Sequence, residues 1–322
     1  MAANANLHKA KNAKNDEFYT QLTDVEKELM HYKGHFKDKV VFCNCDDPTW
    51  SAFWKYFHLN FEHLGLKKLI STHYDRMEST YKMEYKGGDD ENIEAGVKTP
   101  LEGNGDFRNA ECIELLKEAD IVVTNPPFSL FREYIAQLME YEKKFVVIAN
   151  QNAITYKEIF PLLKNDEIWL GYRFGDMSFM VPDDSEPRAT RFWIDETGQK
   201  WRSLGNACWF TNLDIQKRYE KLVLWKNYTP EEYLYFDEIP SVINVNKVSE
   251  IPCDYDDIMA VPITFLDKYN PEQFEIIDAL NRYTLLDYWG VNEDVKKRHS
   301  HCCNIMGKST YYRIAIRKRK DI

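Results

Sequence analysis

The sequence predicts an α/β fold in which a doubly wound sheet is followed by a smaller C-terminal α+β region. Two observations predict the sheet. Short β-branched runs such as Ile121–Val123 are typical of strands buried on both faces, and helical patterns alternate with these runs up to residue 213. A third observation predicts the second region, because from Asp214 the alternation stops and tyrosines, prolines and short apolar runs take its place. We therefore expect two folded parts, residues 15–213 and residues 214–322.

The segment ahead of the sheet is polar and basic. Residues 1–14 have no apolar core, and they predict a flexible arm. A helix is predicted next, over Thr23–Tyr32, with Thr23 and Glu26 spaced as a capping box. The lysines of the arm are Lys9, Lys11 and Lys14.

The first predicted strand, Lys39–Cys43, runs into an acidic turn, Asn44-Cys45-Asp46-Asp47-Pro48, and then into a helix. In most nucleotide-binding sheets this turn is rich in glycine, so that the backbone can approach a ligand, but this turn contains none. Asp46 or Asp47 can still accept a hydrogen bond from a cationic group at this position. The alternative is helix capping, with Asp47 as the N-cap and Pro48 at the first helical position.

The segments beyond the second strand carry an acid and an Asp-Phe pair. The strand is predicted over Leu66–Thr72 and ends near Asp75, where sheets of this kind bind ribose hydroxyls. Tyr81–Glu102 is polar and irregular, which predicts a loop or a hairpin insertion. The run Gly103-Asn104-Gly105-Asp106-Phe107 follows, and a simple turn explains its glycines but not its Asp-Phe pair. A helix over Ala110–Glu118 then leads to the next strand.

The later strands are predicted from shorter apolar runs, and the stretch between the last two is rich in Gly, Pro, Arg and aromatic residues. That stretch, Phe174–Ser203, predicts a mobile loop. A helix is predicted through Tyr156 and Phe160. The strands are Lys144–Ala149, Ile168–Tyr172 and Ala207–Leu213.

The strand that begins at Ile121 ends in Asn125-Pro126-Pro127-Phe128. Proline has no N–H to give to a sheet and holds the residue before it extended, so the strand stops there. Asn125 and Pro126 are therefore expected at the carboxyl end of a central strand, which is where open α/β sheets bind their ligands. A helical pattern starts at Phe128.

Asn-Pro-Pro-Phe suits chemistry at a planar exocyclic amine. Such a nitrogen, for example N6 of adenine, is a poor nucleophile because its lone pair is delocalised into the ring. The side-chain oxygen of Asn125 and the carbonyl oxygen of Pro126 can accept its two hydrogens and draw the nitrogen towards tetrahedral geometry. Phe128 offers a ring on which an extruded base can stack. The alternative is a strand that simply ends in a proline-rich turn.

The tetrapeptide resembles the (Asp/Asn)-Pro-Pro-(Tyr/Phe/Trp) motif of amino-methyltransferases that use S-adenosylmethionine. The surrounding segments extend the resemblance to the adenine-specific DNA methyltransferases of the EcoRI type, from about Leu7 to the C-terminus. The fold that this family implies is a Rossmann-like methyltransferase sheet with a C-terminal target-recognition region. The segments are Glu17–Thr20, Phe42–Pro48, Gly105–Phe107, Ile243–Lys247 and Val261–Leu266.

The resemblance implies which residues act and which bind the cofactor. Asp106 would accept from the amino group of the cofactor adenine, and Phe107 would pack on its ring. The catalytic residues would be Asn125, Pro126, Pro127 and Phe128. The expected S-adenosylmethionine site comprises Phe18, Tyr19, Thr20, Cys45, Asp46, Asp47, Pro48, Asp75, Asp106, Phe107 and Asn125.

The family implies double-stranded DNA as the partner, although the net charge of −10 at first argues against nucleic acid. The distribution of charge matters more than its sum. Lys9, Lys11 and Lys14 are expected to contact DNA, and Phe174–Ser203 is expected to face it. A cognate restriction endonuclease acting on the same site is a possible further partner.

The composition predicts a protein of a reducing compartment that does not span a membrane. No run of about 18 apolar residues is present, and the cysteine count of seven is odd, so we expect a cytoplasmic protein with reduced thiols. The cluster His299–Cys303 fits no common zinc spacing, and no metal is expected.

Two alternatives to DNA methylation stay open at the sequence level. Asn-Pro-Pro-aromatic segments also serve amines of RNA or of protein glutamine, which are likewise planar nitrogens. A DNA- or cofactor-binding module without catalysis is the third interpretation, and the intact tetrapeptide Asn125–Phe128 argues against it.

Overall fold

The computed structural model describes residues 19–74, 80–183, 185–280 and 303–320. Several residues singled out from the sequence lie outside these ranges. They are Lys9, Lys11, Lys14, Phe18, Asp75 and residues 299–302 of the His299–Cys303 cluster.

Ten strands among the described residues form one mixed sheet. They are β1 Tyr19–Thr20, β2 Val40–Cys43, β3 Lys68–Thr72, β4 Tyr81–Tyr85, β5 Val97–Pro100, β6 Ile121–Thr124, β7 Lys144–Asn150, β8 Trp169–Met180, β9 Phe192–Ile194 and β10 Lys200–Thr211. The spatial order is β1-β8-β10-β7-β6-β2-β3-β4-β5, and β9 pairs with β10. The predicted α/β class with a doubly wound sheet is confirmed.

The parallel centre of the sheet contains a topological switch point. Strand β2 pairs in parallel with β3 on one side and with β6 on the other, and β6 pairs in parallel with β7. Strand β3 thus lies on one side of β2, and the next parallel strands along the chain, β6 and β7, lie on the other side. Ligands of open α/β sheets bind outside the carboxyl ends of the strands at such a reversal. Every residue of β2 and β6 is buried, as their apolar runs predict.

Helices connect the strands, and two of the helix predictions are wrong. The helices are α1 Leu22–Leu29, α2 Lys33–Phe36, α3 Ala52–Leu59, α4 Phe61–Leu64, α5 Ala110–Glu118 and α6 Phe131–Glu140. Helix α1 starts after Gln21 without a side-chain cap, so the capping box of Thr23 and Glu26 is wrong. The predicted helix through Tyr156 and Phe160 is instead a 3-10 helix, Gln151–Thr155, and a separate short helix, α7, Phe160–Lys164.

The segment Phe174–Ser203 is more regular than its composition predicts. Strands β8 and β10 are 12 residues each and pair antiparallel deep into this interval. Their pairing shifts register between Leu204 and Ala207 of β10, which lie opposite Met177 and Gly175 of β8. The mobile-loop prediction is therefore wrong for the parts of the segment that lie in β8, β9 and β10.

The chain divides into two compact units. The first comprises the described residues up to Ile159 together with Ile168–Leu213, and the second comprises Phe160–Glu167 and the described residues from Asp214 onwards. The second unit contains a four-stranded sheet of order β11-β12-β16-β13 and a small hairpin, β14-β15, among its described residues. Its strands are β11 Ile243–Asn244, β12 Met259–Pro262, β13 Phe274–Leu280, β14 Asn304–Ile305, β15 Lys308–Ser309 and β16 Arg313–Lys318. Its core includes Phe236, Val242, Ala260, Leu280 and Ala315.

Candidate active site

Four segments meet beyond the carboxyl ends of β2, β3 and β6. They are the acidic turn after β2, the chain leaving β3, the Gly-Asp-Phe run, and the Asn-Pro-Pro-Phe segment after β6. Hydrogen bonds between these segments, described below, hold them together, so the sequence-predicted residues in them are neighbours in space.

The turn after β2 forms without glycine because Cys45 takes a left-handed conformation, with φ of 59°. Its N–H donates to Oγ1 of Thr72 at 3.0 Å, which ties the turn to the end of β3. Its thiol donates to the carbonyl oxygen of Gly105 at 3.7 Å. Burial raises the pKa of the Cys45 thiol, so it stays protonated and able to donate.

Close backbone approach occurs at Gly105 rather than in the first turn. Gly105 has φ of +74°, and a Cβ built there would lie 2.2 Å from the carbonyl oxygen of His73. Any side chain would therefore separate the Gly-Asp-Phe run from the end of β3. The turn after β2 has no glycine, although nucleotide-binding sheets usually have one there. Gly105, in the Gly-Asp-Phe run, instead allows close backbone approach at the same end of the sheet.

Asp46 is buried, with 6% of its surface exposed, and its carboxylate binds its own chain. It accepts from Oγ of Ser51 at 3.2 Å, contacts Oγ1 of Thr124, and accepts from the backbone N–H of Asn125. Burial raises its pKa to about 7, against the lowering effect of these hydrogen bonds. Asp46 thus connects the end of β2 to the first residue of the Asn-Pro-Pro-Phe segment.

The hydroxyl of Thr124 contacts two acceptors. Its Oγ1 lies 2.8 Å from the carbonyl oxygen of Asn44 and in short contact with Oδ2 of Asp46, to which it donates. Donation to Asp46 opposes the effect of burial on the pKa of that carboxyl.

Asp47 links the acidic turn to the chain after β3. Its Oδ2 lies 2.9 Å from Nδ1 of His73, and its Oδ1 accepts from the hydroxyl of Tyr81 at 2.8 Å. Burial, and then the hydrogen bond to Asp47, raise the pKa of Tyr81. Asp47 does not cap the following helix, because α3 starts at Ala52 and the cap is Ser51, whose Oγ accepts from two helix N–H groups. The capping alternative for Asp47 and Pro48 is therefore wrong.

The Asn-Pro-Pro-Phe segment lies against the edge strand β1. Nδ2 of Asn125 donates to Oγ1 of Thr20 at 3.2 Å. Pro126 is buried, and Phe128 is half-buried in a 3-10 helix, Phe128–Leu130, that precedes α6. Beside Thr20, the ring of Tyr19 packs on Trp50 with 4.3 Å between ring centroids.

The Asp-Phe pair is held by residues that sequence reasoning missed. Arg108 binds both carboxylate oxygens of Asp106 and also binds Glu133 at 3.0 Å. Phe107 is buried and packs edge-on against Tyr134 at 5.0 Å. The sequence offered one indication of the contact between Arg108 and Asp106, namely that they are two residues apart. It offered none of the contact between Tyr134 and Phe107.

Two properties of the described residues concern a metal ion and a membrane. Among the residues described, no group of three or more His, Cys, Asp or Glu side chains is arranged to hold a metal ion. None of the helices in the described ranges is both long and apolar enough to cross a membrane.

In this fold the Asn-Pro-Pro-Phe segment follows a central strand beside the switch point. Segment and fold together are those of an amino-methyltransferase. More narrowly, the chain belongs to the adenine-specific methyltransferase EcoRI family, whose model matches residues 6–319. The resemblance drawn from the motifs is confirmed.

Three relatives extend the match over the whole length. The chain is 46% identical to the type II methyltransferase M.EcoRI of Escherichia coli, with 99% of this chain and 98% of the relative covered. It is 38% identical to the type II methyltransferase M.MpnI of Mycoplasma pneumoniae, with 98% and 99% covered. It is equally similar, at 38% identity and the same coverage, to M.MgeORF184P of Mycoplasma genitalium.

Proposed function

We propose that this protein methylates N6 of adenine at a specific site in duplex DNA, with S-adenosylmethionine as the methyl donor. The observation that carries the proposal is the placement of Asn125 at the end of β6, bound by Asp46 through its backbone and by Thr20 through its side chain. The family match supplies the base, adenine.

The donor set at the switch point fits S-adenosylmethionine. Asp106 has a partly exposed carboxylate, which suits the amino group of the cofactor adenine, and Phe107 lies next to it. Gly105 lets the Gly-Asp-Phe run approach the end of β3, because a Cβ at this position would collide with the carbonyl oxygen of His73. We assign the methionine end to the turn Cys45–Pro48 and the segment Phe18–Thr20, and the ribose to Asp75. When bound, the cofactor supplies an electrophilic methyl group.

The residues of this chain prepare the nitrogen that attacks that methyl group. The oxygen of Asn125 and the carbonyl of Pro126 accept the two N6 hydrogens, which localises the nitrogen lone pair. Pro126 and Pro127 keep these acceptors from moving, and Phe128 stacks on the extruded base. No covalent intermediate with the enzyme would be needed, because N6 would take the methyl group directly. The bond from the methyl group to the cofactor sulfur would break, the sulfur would leave as a thioether, and N6 would lose one proton.

DNA recognition is assigned to the parts outside the sheet centre. We propose that residues 214–322 read the target site and that Lys9, Lys11 and Lys14 contact phosphates. A cognate restriction endonuclease and a cytoplasmic location fit an enzyme of this kind, and a metal has no part in the proposed chemistry.

Product analysis tests the proposal. The purified protein, duplex DNA and S-adenosylmethionine labelled in the methyl group should yield labelled N6-methyladenine after enzymatic digestion of the DNA, as identified by mass spectrometry. Parallel reactions with RNA and with protein test the other planar nitrogens. Label in methylcytosine, or in RNA or protein alone, would show that the proposed substrate is wrong.

A further inference from the structure

Asn150 is the last residue of β7, and only the oxygen end of its carboxamide is bound by the protein. Oδ1 accepts from the backbone N–H of Asn152 at 2.9 Å, which caps the 3-10 helix Gln151–Thr155. A backbone N–H can only donate, so this contact identifies the oxygen end of the amide. Nδ2 of Asn206 donates to the same oxygen at 2.9 Å. The side chain of Asn150 is half-buried, and its Nδ2 has no hydrogen-bond partner among the described residues.

The pairing of β6 with β7 places Asn150 on the same face of the sheet as Asn125. Thr124 pairs with Val147, so Asn125, the next residue, is level with Ile148. Side chains alternate between the two faces along a strand, so Asn150, two residues beyond Ile148, shares the face of Asn125. A strand spacing of about 4.8 Å and a rise of about 3.3 Å per residue separate the two asparagines by roughly 8 Å between Cα atoms.

The hairpin of β8 and β10 connects the surroundings of the two asparagines. Asn206 lies in β10 where the pairing with β8 shifts register, next to Ala207, which pairs with Asn150. Beyond this point the hairpin continues past the end of β7 and carries β1, whose Thr20 contacts Nδ2 of Asn125 at 3.2 Å. The two carboxamides therefore border one region at the carboxyl edge of the sheet.

This region lies on the side of β6 that the cofactor segments leave free. The strand order β7-β6-β2-β3 places the segments after β2 and β3 on one side of β6 and the end of β7 on the other. In a direct methyl transfer the acceptor approaches from the side opposite the leaving group. A base that presents its amino group to Asn125 therefore extends its ring towards the end of β7.

We propose that Asn150 is a specificity-determining residue whose Nδ2 donates to a ring nitrogen, N1 or N7, beside the amino group of the target base. The proposal rests on the proposed function. In that function Asn125 and Pro126 accept both hydrogens of N6, so a ring nitrogen is what remains on the base for a donor to bind. A base with carbon at that position would leave the half-buried amide nitrogen of Asn150 without a partner.

The variant Asn150→Asp separates the donor from the helix cap. A carboxylate still accepts from Asn152 and Asn206, but it has no hydrogen to donate. Asn150→Ser is an uncharged second variant, because serine also caps helices and is too short to replace the amide nitrogen. Asn92→Asp is the matched control, since its Oδ1 likewise accepts from a backbone N–H, that of Glu94 at 3.2 Å, far from β7 in sequence.

Deaza bases test the contact without turnover. The methylated position is located first in the product of the wild-type protein, and duplexes are then made with adenine, 1-deazaadenine or 7-deazaadenine at that position. Both analogues keep the amino group. Fluorescence anisotropy in the presence of S-adenosylhomocysteine measures the affinity of each duplex for each protein. The effect of an analogue on the duplex itself is common to all the proteins, so the comparison between proteins isolates the contact.

One of the two analogues should weaken binding by about three- to tenfold more in wild type and Asn92→Asp than in the two Asn150 variants, the factor of one net hydrogen bond. The analogue that does so identifies N1 or N7. Effects that are equal in all four proteins for both analogues would overturn the role of Asn150, while N6-methyladenine in the wild-type product would still support the proposed function. Absence of N6-methyladenine from the wild-type reaction would overturn both.

Discussion

Arg108 binds both oxygens of the Asp106 carboxylate, with Nε donating to Oδ1 at 2.8 Å and Nη2 donating to Oδ2 at 2.7 Å. This fork fixes the plane of the carboxylate. Oδ1 also accepts from the backbone N–H of Arg108 at 3.0 Å. A carboxylate offers about four acceptor positions, which is more than the three contacts with Arg108 use, so it can also accept from an amino group. The arginine is half exposed, which places the pair at the surface of the cleft.

The first prediction separates the roles of these two residues in cofactor binding. Asp106→Ala should weaken S-adenosylmethionine binding by about tenfold or more, since a hydrogen bond to a charged group contributes about 1.5–3 kcal/mol. Arg108→Ala should weaken it by less than about fivefold, because an exposed ion pair contributes at most about 1 kcal/mol. Titration calorimetry measures both. An equal loss in the two variants would contradict the assignment of Asp106 as the contact.

The second prediction concerns the acceptor. Asn125→Ala should lower the single-turnover rate of methyl transfer by at least about a hundredfold, the usual scale for one preorganised polar contact. The fold and the affinity for S-adenosylmethionine should be retained, as circular dichroism and calorimetry can show. A rate near that of the wild type would remove Asn125 from the mechanism.

The third prediction follows from the buried acid. Burial raises the pKa of Asp46 from its ordinary value of 3.8 to about 7, so the folded protein holds a proton that the unfolded chain has released in that interval. The stabilising contribution is complete below the unfolded pKa and is lost as the pH rises through about 7. Asp46→Asn cannot titrate there. Its free energy of unfolding should therefore improve relative to the wild type between pH 5 and pH 8, by roughly 1–3 kcal/mol, since one pKa unit corresponds to about 1.4 kcal/mol.

Urea unfolding of the two proteins at several pH values measures this difference. Asp47→Asn is the comparison variant in the same turn, because that carboxylate contacts Nδ1 of His73 and the hydroxyl of Tyr81 instead of Thr124 and the N–H of Asn125. A difference between wild type and Asp46→Asn that does not vary with pH would mean that Asp46 is ionised in the folded protein throughout the range.

The fourth prediction concerns the basic arm. Deletion of residues 2–14 should weaken DNA binding and flatten its dependence on salt by roughly one to three units of slope, because each lost phosphate contact removes about 0.9. Binding of S-adenosylmethionine should change little, since the deletion ends before Phe18. Affinities measured at several salt concentrations compare the two proteins, and identical slopes would show that the arm has no DNA contact.

Local pattern was enough to predict the centre of the sheet. The β-branched runs at β2, β6 and β7 and the two prolines after Asn125 determine their structure through neighbours in sequence. The sheet order at the switch point then brings the Asp46 turn and Asn125 together. The motif therefore predicted correctly which segments meet.

The contacts within the site depend on partners far away in sequence, and pattern does not reveal them. Asp46 had the sequence signature of a residue facing a ligand, yet its carboxyl is bound by Ser51, Thr124 and Asn125. Ser51 caps the helix instead of Asp47. The carboxylate of Asp47 binds the N–H of Thr49 within its own turn and contacts the distant residues His73 and Tyr81. Cys45 took the left-handed conformation for which glycine or asparagine would be expected.

The close approach at Gly105 has a consequence for how quickly and at what entropic cost a ligand enters. Hydrogen bonds join the turn at Cys45 to the end of β3 and to the run at Gly105. The run at Gly105 also lies close to the backbone of His73. These three described segments do not have to become ordered around the cofactor. Association should then follow a single exponential phase with a rate proportional to cofactor concentration, and the heat-capacity change should reflect only the surface that the cofactor covers, without a contribution from coupled folding.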